Sequence, residues 1–222
     1  MTYIENIYIC LVAPLLVAMF CSRERRFLAL VFIASGMTAC LLSSYISSYF
    51  AAVYETDQLV ATLEIAPVVE ETMKMLPVLF YLLVFQPKMS ISAGETIMVA
   101  VGFATLENAC YLLTNGASRF THLLIRGFST GAMHIICATL TGLGLQELWD
   151  RIALRMVGTV SMLSAAIVFH GVFNILVSQT GAAAIIGYAM PLLAGGMMAW
   201  VRNYRRKIKR MRGGNMNPGP LL

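Results

Sequence analysis

The chain has 222 residues and a net charge of +5, with 59% hydrophobic and only 12% charged residues. Soluble domains carry roughly a quarter charged residues, so an ordinary water-soluble domain is excluded and a bilayer is the expected solvent. The five cysteines (Cys10, Cys21, Cys40, Cys110, Cys137) are odd in number and form no CxxC pair, which excludes a disulfide framework or a zinc finger.

In chain order, seven apolar segments can be drawn at about 4–20, 27–50, 58–85, 93–114, 122–145, 157–178 and 183–201, each near the length of a transmembrane helix. The N-terminus carries Glu5 and its arginines follow the apolar run, the wrong polarity for a cleaved signal peptide. Short polar connectors leave no room for a second domain. All spans are expected to be helical, because an open strand cannot satisfy its backbone in hydrocarbon. Arg23, Arg25 and Arg26, then Lys88, then Arg151 and Arg155, then the basic tail all fall on one side if the spans are odd in number. The positive-inside rule puts that side in the cytoplasm and the N-terminus outside. The expected architecture is thus an all-α polytopic bundle of seven spans over 1–201, with a catalytic core over about 58–178. A disordered basic cytoplasmic tail is expected over 202–222. The cluster from Arg202 to Arg212 reads as an anchor against anionic lipid and not as a nucleic-acid site.

Ionisable groups within spans cost several kcal/mol each and face the bundle interior. The third span holds Glu64, Glu70, Glu71 and Lys74; the fourth holds Glu107 and Asn108; the fifth holds His134; the sixth holds His170 and Asn174. Lys74 is i+4 from Glu70 and i+3 from Glu71, so it can neutralise one of them. Two carboxylates and one ammonium leave one negative charge over. At 1.5 Å rise per residue, Glu70, Glu107, His134 and His170 fall roughly 10–18 Å below the outer edge of their spans, in one layer shared by four helices. Glu64, Asn108 and the boundary residue His122 read as packing or interfacial groups. Gly142, Gly144, Gly195 and Gly196 would permit close helix contacts, leaving the oligomeric state open.

Two hydrolytic schemes fit these residues. In one, a buried carboxylate acts as general base on a water, a histidine shares the proton, and His170 with Asn174 faces the oxyanion. In the other, Glu107, His134 and His170 hold zinc. The metal-free scheme is preferred, since no HExxH is present and Asn174 suits an oxyanion donor better than a ligand. No GxSxG is present, and Asp57 and Asp150 lie in connectors, so serine and aspartyl mechanisms are not indicated. A proton-coupled transporter would also use buried Glu and His, but no inverted repeat is visible.

Glu70-Glu71-Thr72-Met73-Lys74 matches the EExxK motif of the PrsW intramembrane proteases. Phe103 to Glu107 followed by Asn108 looks like their second motif, His134 like the third, and His170-Gly171-Val172-Phe173-Asn174 like the closing HxxxN. The resemblance covers about residues 60–178. It implies Glu70 as the water-activating carboxylate, His134 as its partner, and His170 with Asn174 at the oxyanion. It also implies cleavage, near the extracytoplasmic face, of a single-span membrane protein such as an anti-sigma factor in a prokaryotic cell membrane. The related CAAX-prenyl endopeptidases have a His where this chain has Glu107, which argues against prenylated substrates. A non-catalytic seven-span scaffold subunit of a protease complex is similar in span count and histidines, but the paired carboxylates favour an enzyme.

Overall fold

The structure is a computed structural model that describes Tyr8 and residues 24–85, 93–115, 120–148 and 152–214. Among the described residues the fold is entirely helical. Helix α1 is Glu24–Val53; α2 runs end to end through Gln58–Val60, Ala61–Ile65 and Ala66–Phe85; α3 is Ala93–Asn115; α4 is Phe120–Leu148; α5 is Ile152–Val177; α6 is Ala182–Gly214. These match six of the seven expected segments to within a few residues at most ends. The first segment, 4–20, lies outside the described residues apart from Tyr8, whose hydroxyl bonds Thr38 Oγ1 at 2.7 Å. Arg23, Lys88, Asp150 and Arg151 also lie outside them, as does 215–222.

Five of the helices are long and apolar enough to cross a membrane, over Arg26–Val53, Gly94–Thr114, Thr121–Leu145, Met156–Val177 and Ala182–Val201. Helix α2 differs by carrying Glu70, Glu71 and Lys74 in its apolar run. The chain is therefore a multi-pass membrane protein. Exposed Phe80, Leu83, Phe128, Ile185, Leu193 and Trp200 give the bundle the apolar exterior that lipid requires. Helix α6 continues to Gly214, the last described residue, through a basic stretch where a tail was expected; Lys and Arg are good helix formers.

Helix α1 packs most extensively on α3, and α4 on both α3 and α5. The α1–α3 crossing depends on two glycines. A Cβ at Gly36 would run into the Val99 carbonyl, and one at Gly102 into the Ile33 carbonyl, so the two backbones touch where small residues allow it. Gly142 and Gly144 serve within the chain: a Cβ there would meet Thr96 on α3 and Met162 on α5 respectively.

The start of α2 is irregular for a local reason. Asp57 caps it, its side chain accepting from the Val60 amide at 2.8 Å. Ala61–Ile65 is then a π-helical turn, with the Ala66 N–H donating to the Ala61 carbonyl. In that register the partner of the Thr62 carbonyl would be the N–H of Pro67, which proline lacks. The orphaned carbonyl is satisfied from another helix: the Asn174 amide of α5 donates to it at 3.1 Å. Single π turns of this kind are frequent at functional sites.

Candidate active site

Helices α2 to α5 converge on one buried polar chain. Glu71 and Lys74 share a face of α2 as an i,i+3 pair, and Lys74 Nζ donates to Glu71 Oε1 at 2.6 Å. Both are buried, with side chains 1% and 5% exposed. Lys74 Nζ also lies 2.7 Å from His134 Nδ1 on α4. An ammonium only donates, so Nδ1 accepts and the proton of His134 sits on Nε2. That nitrogen faces Glu107 Oε2 of α3 at 2.5 Å. On the other side, His170 Nδ1 of α5 lies 2.7 Å from Glu71 Oε1. A carboxylate accepts, so Nδ1 carries a proton, and in the neutral ring His170 Nε2 keeps a free electron pair. The wiring therefore gives the two histidines opposite tautomers. Phe103 floors the site, with its ring centroid 4.8 Å from Lys74 Nζ and 5.1 Å from that of His134.

Glu107 has a second partner. Arg126 of α4 reaches it with Nη2 at 3.4 Å and donates Nη1 to Asn108 Oδ1 at 2.7 Å, while its guanidinium stacks on Tyr111. Arg126 has no carboxylate at i±3 or i±4 on its own helix, so its pairing across helices is not visible in sequence spacing. Lys74 thus offsets Glu71, and Arg126 offsets Glu107. Glu70 has no such partner. Its Oε2 is buried with no hydrogen-bond partner, and it points at His170 Nε2 across 3.8 Å.

The sequence-selected residues fall into two places. Glu70, Glu71, Lys74, Glu107, His134 and His170 come together. Asn174 sits one turn further along α5, with its amide on Thr62. Glu64 is exposed on the π turn, and His122 is exposed with its ring edge-on to Tyr188.

Glu70, His134 and His170 bring one ligand atom each to within 4.8 Å of one another. Two imidazoles and a carboxylate are a catalytic zinc donor set. Glu107, which the sequence reading placed in such a set, is instead held between His134 and Arg126. The fit to a cation is good at Glu70, which is uncompensated, and at His170, whose free nitrogen is oriented by Glu71 in the manner of a metal-binding histidine. His134 would join them only by releasing one of its two present bonds.

A cavity of about 270 Å³ opens beside this cluster, lined by α1, α2 and α3 and reaching Glu70, Phe103 and Glu107. The unpaired carboxylate thus borders a cavity.

No curated protein and no solved structure matches the chain. A family model described as PrsW family intramembrane metalloprotease matches residues 23–200, a span that contains every residue of the cluster. The chain belongs to the PrsW family and is an intramembrane protease.

Proposed function

We propose that Glu70 and His170 form the reaction centre of a metal-dependent endopeptidase. It would cut a single-span membrane protein, a membrane-anchored regulator such as an anti-sigma factor, near the extracytoplasmic face of a prokaryotic cell membrane. The observation that carries this reading is the buried, unpartnered Glu70 Oε2 facing a free imidazole nitrogen. An uncompensated buried charge is costly, and a fold tolerates it where a cation or a proton is to be handled.

A divalent metal held by Glu70, His170 and His134 would polarise the scissile carbonyl and activate a water. The chain's own groups do the rest. Glu71 orients His170 through its Nδ1–H. Lys74 keeps Glu71 charged and holds His134. Glu70, through the carboxylate oxygen left free, takes a proton from the attacking water as its oxygen bonds to the carbonyl carbon. That proton passes to the leaving amine as the C–N bond breaks, giving a carboxylate and an amine terminus.

Three observations weigh on the metal question. Asn174, the oxyanion donor of the metal-free scheme, has its amide committed to Thr62, and the family description names metal chemistry; both favour the metal. The two bonds already made by His134 favour a metal-free reading in which Glu70 alone is the base. Seven spans, an outer N-terminus and a catalytic core over about 58–178 are part of the proposal. The cavity lining supports the outer placement of the site by extending to Ala51 and Gln58, at the end that the charge distribution puts outside.

The test is cleavage of a single-span substrate by purified protein before and after exhaustive chelation, with metal content measured by emission spectroscopy. Activity that falls with the metal and returns on adding zinc supports the proposal. Full activity with no metal present eliminates the metal-dependent form.

A further inference from the structure

We propose that the cavity beside Glu70 is a docking groove for the unwound main chain of the substrate, with the serine face of α1 as its recognition wall. The inference deepens the protease reading above and rests on it for the identity of the ligand.

Helices α1 and α3 touch at Gly36 and Gly102, and the cavity begins one turn beyond, at Cys40. One wall is Ser43, Ser44, Ser47, Ser48 and Ala51 of α1. The serines recur at i,i+4, so they form one stripe along the groove. The opposite wall is Gln58, Ala61, Thr62 and Ala66 of α2, and the lining reaches Glu70 with Phe103 and Glu107. From Cys40 to Ala51 the wall is about 16 Å long at helical rise, which matches about five residues of extended chain.

The hydroxyl chemistry of the walls narrows the ligand. Ser43 Oγ donates to the Cys40 carbonyl at 2.9 Å, Ser44 Oγ to Leu41 at 2.7 Å and Ser48 Oγ to Ser44 at 2.8 Å. Thr62 Oγ1 across the groove donates to Gln58 at 2.8 Å. These four hydroxyls have each spent their one proton on their own helix, so what they offer the groove is acceptor lone pairs. The complementary ligand is rich in N–H donors. A transmembrane substrate has such donors only where it is unwound, and in hydrocarbon those freed N–H groups must find acceptors. The groove supplies them and reaches the unpaired carboxylate. A continuous helix, with its N–H groups satisfied internally, gains nothing from this wall.

The probe is a synthetic single-span Leu/Ala peptide with lysine-flanked ends and a central Gly-Gly break, compared with the same peptide unbroken. A benzoylphenylalanine is placed at Ser47 in Glu70→Gln protein, and cross-linking is read by mass spectrometry, so binding is scored without turnover. The broken peptide should cross-link about tenfold more than the unbroken one, and Ser48→Leu should suppress it. In protein with Glu70 intact, Ser48→Leu and Ser44→Leu should raise KM for the broken peptide about tenfold while leaving kcat within about twofold. Equal cross-linking of both peptides, or none, overturns the groove, as does unchanged KM in both leucine variants that fold. Labelling of Ser47→Cys by a small hydrophilic thiol reagent without any peptide cross-link means a water path only and also overturns it. Selective cross-linking without cleavage by any Glu70 protein would leave the groove standing and sink the protease chemistry instead.

Discussion

Replacing Lys74 by methionine should be among the most damaging single changes in the chain. Lys74 bonds Glu71 at 2.6 Å and His134 at 2.7 Å, and the Glu71 side chain is 1% exposed. Methionine keeps the length and apolar stem but leaves Glu71 with only His170 as a donor. Removing one partner of a buried pair costs about 3–5 kcal/mol, because a charge is stranded in low dielectric. Replacing both partners with neutral groups is often close to neutral. The Lys74→Met/Glu71→Gln double variant should therefore recover most of the stability, so the two changes couple by at least the cost of Lys74→Met that is recovered. Denaturant titration in mixed micelles, read by tryptophan fluorescence or circular dichroism, measures all four corners of the cycle. Activity should not recover with stability, because His170 loses the carboxylate that orients it. A Lys74→Met protein within about 1 kcal/mol of wild type, or a double variant as unstable as the single, would refute the paired-charge reasoning.

Asn174→Ala should cost about 1–3 kcal/mol by stranding the Thr62 carbonyl and should lower kcat only modestly; a large kcat loss at unchanged stability would return Asn174 to the oxyanion. Arg126→Met should reduce kcat about 10–100-fold by releasing Glu107 and with it the orientation of His134, and Arg126→Lys should restore part of it; kcat unchanged in Arg126→Met means that Glu107 needs no such anchor. A cysteine placed at Lys209 should react with impermeant reagents only from the cytoplasmic side, and labelling of intact cells from outside would overturn the proposed topology.

Much of this was legible in the chain. Apolar runs marked α1 and α3 to α6 because hydrocarbon-spanning helices need continuous apolar length. The EExxK and FxxxE spacings and the His of HxxxN named residues that converge, while the Asn of HxxxN falls one turn away on Thr62. Spacing could not choose between Glu70 and Glu71 as the partner of Lys74, since i,i+3 and i,i+4 positions share a helix face; the positions of His134 and His170 on other helices decide it. Arg126 was missed for the same reason, its carboxylate being on α3. Two signals were available and unread. Pro67 inside a helical run announces a missing N–H, and with it the π turn that takes Asn174. Ser43, Ser44, Ser47 and Ser48 repeat at helical spacing on a face that a lipid-exposed helix would have made apolar.

The central claim is that Glu70 is the unpaired carboxylate at which the chemistry occurs. Cleavage of a single-span substrate by Glu70→Gln protein, measured alongside its unfolding free energy, tests this most directly. Loss of a stranded charge predicts stability equal to or above wild type together with no detectable cleavage. Cleavage at the wild-type rate by a folded Glu70→Gln protein would contradict it.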